Sequence, residues 1–216
     1  MASHAWDCSP SRRADLDDRA GAAHQRITFW GLFVAYFATS VAAYSVLPHS
    51  VAYLVERGFD PLAAAGAFGL AGALSAIGIL ASGWLSDHFG RRQTATISYL
   101  STMTGIAALA LVSVFPTMVL VYAFVCFFGL MQGARGPIVV AMVAQLFRGG
   151  VGAVYGTLSI AQGVGAGLGS WSSGLLYEVT GSYLASFMLA ICAAAIGLAS
   201  FWVVKSLREE SLPVSV

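Results

Sequence analysis

Six long apolar runs constrain this chain more than anything else in it: about Ile27–Val55, Pro61–Ser86, Gln93–Val114, Thr117–Gln145, Val151–Tyr177 and Tyr183–Val204. A hydrocarbon core about 30 Å thick is crossed by roughly 20 helical residues, so each run is long enough to span it. Backbone groups in lipid have no water to bond, so every crossing run is expected to be an α-helix. The expected fold is all-α and integral to the lipid bilayer, with six transmembrane helices. Composition agrees: 58% of the 216 residues are hydrophobic and only 10% are charged, whereas soluble domains run to about 25% charged.

Local signals place the cuts. Gly58-Phe59-Asp60-Pro61 offers a helix stop, then an N-cap and a proline at the first helical position. Phe115-Pro116-Thr117 and Thr180-Gly181-Ser182 read as tight turns. Residues 1–26 read as a flexible polar cytoplasmic tail, 27–205 as the membrane bundle and 206–216 as a second cytoplasmic tail. The first of these has no apolar core of a signal peptide, and Ser11-Arg12-Arg13 is followed by acidic residues that argue against a twin-arginine signal.

Basic residues orient the bundle. With the N-terminus in the cytoplasm, nine of the 11 Lys and Arg fall inside (Arg12, Arg13, Arg19, Arg26, Arg91, Arg92, Arg148, Lys205 and Arg208). Arg57 alone falls outside, and Arg135 lies within the membrane. Both termini are therefore expected in the cytoplasm, and the chain in the cell's inner membrane.

Arg135 is the first candidate functional residue. It lies in the fourth run, within a turn or two of the midplane, and no Asp or Glu occurs at similar depth in the other runs. A midplane arginine is costly unless it meets water or a partner. An unpaired cation in a cavity suits an anionic substrate; the plainer reading is an arginine that snorkels to the surface or bonds carbonyls. Gln132 shares its helical face, and Pro137 frees a carbonyl near residue 133 and should kink the helix there. On the first run Tyr36, Ser40 and Tyr44 recur every fourth residue, a polar stripe able to line a wet cavity. His49, after the helix-breaking Pro48, is either a proton-coupling group or an interface histidine. Trp30 and Tyr183 read as interfacial anchors.

Small residues suggest how helices meet. Lipid provides no hydrophobic drive between helices, so close backbone approach matters more. Gly152-x-x-x-Gly156 and Gly165-x-x-x-Gly169 in the fifth run fit that pattern, and Gly66, Gly69 and Gly72 give the second run a smooth face. These faces either pack within the bundle or move against another one.

Other chemistry finds little support. Cys8, Cys126 and Cys192 have no metal or disulfide spacing. The chain contains no Gly-x-Ser turn, no His-Glu-x-x-His motif and no pair of membrane aspartates, so it reads as no enzyme and as needing no metal or cofactor. It has no basic run to track nucleic acid.

Between the second and third runs lies Gly83-Trp84-Leu85-Ser86-Asp87-His88-Phe89-Gly90-Arg91-Arg92, a charged segment in an otherwise greasy chain. Gly83, Leu85, Asp87, Gly90, Arg91 and Arg92 match Gly-x-Leu-x-Asp-x-x-Gly-Arg-[Lys/Arg], the loop signature of the major facilitator superfamily. Residues 27–205 resemble the C-terminal half of such a transporter. Gly-Ala-Arg-Gly-Pro, Leu-Phe-Arg and Leu-Tyr-Glu-Val-Thr-Gly-Ser-Tyr are similar to bacterial members related to organic-anion and monocarboxylate carriers. The resemblance implies an inverted repeat of three plus three helices, two halves rocking around a central site, and a cavity lined by the first and fourth helices. It implies that the second and fifth helices face the other half, and that Asp87 and Arg148 form a cytoplasmic gate.

The expected function is secondary transport of a small organic anion, with the six-helix half working beside a second bundle, a homodimer partner or a separate half. The competing expectation is a nontransporting remnant or a regulatory partner of a full-length carrier.

Overall fold

The six runs fold as six helical spans: Gln25–Glu56, Pro61–Ser86, Arg92–Leu111, Met118–Gln145, Val151–Thr180 and Leu184–Val203. A computed structural model describes residues 10–147 and 150–203, and the side chains of residues 10–24, Asp87, Arg91 and Leu146 lie outside that description. Helix α1 (Pro10–Tyr44), a 3₁₀ turn (Leu47–His49) and α2 (Ser50–Glu56) make the first span. Helices α3 (Pro61–Phe89) and α4 (Arg91–Leu111) make the second and third. The fourth is assembled from α5 (Met118–Phe124), a π turn (Val125–Gly129), α6 (Leu130–Gln132) and α7 (Arg135–Leu146). Helices α8 (Val151–Thr180) and α9 (Leu184–Val203) complete the bundle. The all-helical six-span fold expected from the apolar runs is the one found.

Two boundaries differ from expectation. Helix α1 begins at Pro10, so most of the segment expected as a flexible tail is continuous with the first span. The charged segment 83–92 is not an open loop either: α3 runs through Phe89 and α4 starts at Arg91, leaving Gly90 as the whole turn. Gly90 has φ 79 and ψ 154, a conformation closed to residues with a Cβ. Its N–H donates to the Ser86 carbonyl at 3.0 Å and its own carbonyl accepts from the Thr94 N–H at 3.1 Å, so both helix ends are satisfied through one residue.

At the other end of α3, the Asp60 side chain accepts from the Ala63 N–H at 3.0 Å, with Pro61 in the first turn, the cap read from the sequence.

Packing is uneven. The first span is 61% buried, the second and fifth only 22% and 17%. Helix α1 lies against α8 along a seam of small residues. A Cβ at Gly165 would come within 2.8 Å of the Phe37 carbonyl, and one at Gly169 within 2.7 Å of the Val41 carbonyl. Hydroxyls lock the seam: Ser40 donates to the Gln162 carbonyl at 2.7 Å and Ser173 to the Ser45 carbonyl at 2.9 Å. On the far side Gly129 approaches Ala71, and Gly133 approaches Ser75 of α3, as closely. The two glycine pairs of the fifth span therefore differ. Gly165 and Gly169 pack inside the bundle, whereas a Cβ at Gly152 or Gly156 would meet nothing within 4 Å.

Tyr183 corrects another expectation. It is no exposed anchor but 8% exposed, stacked on Tyr177 with ring centroids 4.3 Å apart and edge-on to Tyr53 at 5.7 Å. Trp30 stays exposed at 52%.

Candidate functional site

The fourth span positions the site. Pro137 has no N–H to give the Gly133 carbonyl, and regular helix breaks at Gly133–Ala134, where the sequence placed the kink. Arg135 opens α7 directly after this break.

Its side chain does not snorkel, and among the described residues it meets no acid. Arg135 is 5% exposed. Its Nε donates to the Ser98 hydroxyl at 3.1 Å, and Nη2 donates to the Ser98 carbonyl at 3.2 Å and to the Thr102 hydroxyl. Its guanidinium carbon sits 4.7 Å from the centroid of the Tyr99 ring. All these partners are neutral and all belong to α4. Burying an arginine in hydrocarbon costs about 2.5–3.5 kcal/mol where it can snorkel or draw in water, and on the order of 10 kcal/mol or more on an isolated helix where it cannot. Hydrogen bonds to a charged group contribute about 1.5–3 kcal/mol each, and a desolvated cation–π contact about 2 kcal/mol. The cradle offsets part of that cost while leaving the charge uncancelled, since every one of these partners is neutral.

The cradle is itself tied to the first span. The Tyr99 hydroxyl bonds the Thr39 hydroxyl at 2.5 Å and donates to the Ala35 carbonyl at 3.3 Å. The Ser98 hydroxyl donates to the Met131 carbonyl at 3.2 Å. Two polar atoms remain buried without a hydrogen-bond partner here, Arg135 Nη1 and Gln132 Oε1.

A cleft of about 200 Å³ adjoins them, lined by Tyr36, Ser40, Tyr44, Gln132 and Arg135 together with Thr39, Ala43, Gly133, Gly136 and Gln162. The five candidates chosen from the first and fourth runs thus meet at one cavity. They are not equally free. Tyr36 and Ser40 are 6% and 2% exposed, and the Ser40 proton is committed to Gln162. Thr39 and Gln162 were missed by the sequence reading, as was the whole cradle on α4.

The remaining candidates lie elsewhere. His49 Nε2 is 3.4 Å from the Ser170 carbonyl and its ring is 5.7 Å from Tyr183, and it is not among the residues lining the cleft. Arg148 lies outside the described residues, as do the side chains of Asp87 and Arg91, so the expected gate pair does too. Gly83 and Leu85 are on the last turns of α3. Arg92 stacks over Trp202 of α9, its guanidinium carbon 3.7 Å from the ring centroid.

Comparison with known proteins adds four findings. The chain is 34% identical over 145 residues to "Monocarboxylate transporter 13" of Rattus norvegicus, covering 66% of this chain and 33% of that one. It is 25% identical over 182 residues to "Uncharacterized MFS-type transporter YcxA" of Bacillus subtilis (strain 168), covering 81% and 42%. Crystal structures of the peptide transporter POT in complex with sulfate share its fold, with a TM-score of 0.72 at 22% identity over 87% of this chain and 39% of that one. The chain spans between a third and a half of the length of these curated relatives. Residues 10–134, more than half of the chain, match the family model described as Major Facilitator Superfamily. This multi-pass membrane chain therefore belongs to the Major Facilitator Superfamily.

Proposed function

We propose that this chain is one half of a secondary transporter that carries a small organic anion, such as a monocarboxylate, by alternating access against a second six-helix bundle. The observation that carries this reading is the Arg135 guanidinium: held by neutral groups, with Nη1 buried and unpartnered, on a residue that lines a cleft. A carboxylate arriving there supplies the missing acceptor and the missing charge together. The monocarboxylate class is supported by the name of the rat relative.

In this reading Tyr36, Ser40, Tyr44 and Gln132 shape the rest of the site. The open faces of the second and fifth spans, which carry Gly66, Gly69, Gly72, Gly152 and Gly156, meet the second bundle. Spans one to three and four to six form an inverted repeat. Asp87 and Arg148 gate the cytoplasmic side, and both termini lie there in the inner membrane, as the asymmetry of basic residues supports. His49 contributes packing, not proton coupling.

The test is uptake of labelled monocarboxylates into proteoliposomes, with cross-linking to establish whether bundles pair. Saturable uptake that Arg135→Gln abolishes supports the proposal. Normal uptake in that variant removes Arg135 as the anchor. The alternative, a nontransporting remnant or a regulatory partner of a full-length carrier, would use the open faces of the second and fifth spans to dock on that carrier. A monomer that never moves substrate, alone or beside a carrier half, would decide for it.

A further inference from the structure

A second cleft, of about 390 Å³, opens at the ends of the third and sixth spans, walled by Phe89, Arg92, Gln93, Thr96, Ile97 and Trp202. It begins beside the Gly90 turn, where one span ends and the next starts, and so lies at the level of a membrane surface. Its seat is built rather than incidental. The Trp202 Nε1–H donates to the Thr96 hydroxyl at 3.4 Å, and that hydroxyl donates to the Arg92 carbonyl at 2.9 Å. The Arg92 guanidinium is stacked on the indole so fixed, at 3.7 Å. Even so, Arg92 Nε is buried with no hydrogen-bond partner. The surround is apolar and open: Phe89, Ile97 and Trp202 are 51%, 42% and 54% exposed.

A cation with an unspent donor, set in an apolar rim at the end of two spans, matches one kind of molecule. We propose that this cleft binds an anionic phospholipid, with its phosphate on Arg92 and its acyl chains along Ile97 and Trp202. A phosphate oxygen meets the Arg92 guanidinium in the fork geometry that group favours, and Gln93, which lines the same cleft, carries an amide able to donate a second bond. Basic pockets between spans at a membrane surface are suited to headgroups, and the exposed tryptophan suits the boundary between headgroup and chain. A free anion would meet the same guanidinium but leave the apolar rim uncovered. None of the residues lining this cleft lines the one at Arg135.

The experiment is native mass spectrometry on the full chain, delipidated in detergent and titrated with short-chain phosphatidylglycerol, short-chain phosphatidylcholine or inorganic phosphate. Both lipids offer the same phosphodiester, so the comparison reads net charge: phosphatidylcholine brings its own trimethylammonium cation beside Arg92, and the phosphatidylglycerol adduct is expected to exceed it by about tenfold, on the order of one like-charge pair near a surface. Arg92→Gln should remove that preference and Arg92→Lys should keep part of it. Trp202→Leu, which removes the seat but not the charge, should weaken both lipids, and it carries the test if Arg92→Gln fails to fold. Equal retention of the two lipids by the natural chain overturns the proposal. So does retention of phosphatidylglycerol by Arg92→Gln at the natural level, or displacement of the lipid by inorganic phosphate at equal concentration.

Discussion

Arg135 and Arg92 are two solutions to the same problem, an arginine in a greasy bundle. Each lies over an aromatic ring, Tyr99 at 4.7 Å and Trp202 at 3.7 Å, and each keeps one buried nitrogen without a partner. They differ in what surrounds the pair. Arg135 is enclosed between the first, third and fourth spans, and its ring is anchored by Thr39 from the first. Arg92 sits at the ends of the third and sixth, with an exposed indole beneath it. The lesson is that a guanidinium–ring pair states no function by itself. Depth and the polarity of the surrounding walls decide whether it faces a solute cavity or the lipid.

The glycines of α8 repeat the contrast. Gly169 meets the Val41 carbonyl of α1, while a Cβ at Gly167, two residues away, would meet nothing within 4 Å. One face builds the bundle and the other is left open.

The comparison breaks most readily at the arginines themselves. Arg135→Gln is expected to lower anion uptake in proteoliposomes on the order of 100-fold, about 2.7 kcal/mol of lost interaction. Arg92→Gln should lower it by less than about threefold, within the range of a surface substitution. Comparable losses from both would erase the distinction between an inner and an outer site. Next in size is the glycine pair. Gly169→Leu forces α1 and α8 apart, and overpacking of this kind costs about 1–3 kcal/mol, read as a lower thermal midpoint in detergent. Gly167→Leu should leave that midpoint unchanged but reduce cross-linking to a second bundle. A smaller effect is expected from Thr39→Val, which removes one of the two bonds that tie the Tyr99 ring to the first span. Uptake should fall about three- to tenfold, roughly 0.7–1.4 kcal/mol, with helicity by circular dichroism intact. His49→Gln should change least, leaving the pH profile of uptake as it was. A displaced profile would return that histidine to the mechanism.

Particular residues explain what could be read from the chain and what could not. The spans were legible because lipid forces the backbone to satisfy itself, so length and apolarity suffice. Asp60-Pro61 was legible because a cap and a proline have local causes, whereas the single-residue turn at Gly90 was not. Tyr36, Ser40 and Tyr44 could be placed on one face by helical spacing, yet spacing could not say that Ser40 gives its proton to Gln162. The cradle under Arg135 was missed because it comes from another span. Its signal was present: Thr94, Thr96, Ser98, Ser101, Thr102 and Thr104 make α4 rich in hydroxyls, more than helix propensity would favour. The orientation of the two glycine pairs on α8 had no local signal, since both carry the same motif and only the neighbouring helix tells them apart.

The π turn at Val125–Gly129 has a consequence for direction. Successive residues of an α-helix are rotated by about 100°, and a π turn takes up one residue more than an α turn of the same rise. Everything after it is therefore turned on the compass of the span by about that angle. Arg135 follows the π turn, and its bearing toward Ser98, Tyr99 and Thr102 depends on that extra residue. Deleting one residue from the turn would make Met118–Gln132 plain α-helix and swing the guanidinium off the cradle, with every residue of the site still present. The aim of the charge is thus written in the length of the helix ahead of it.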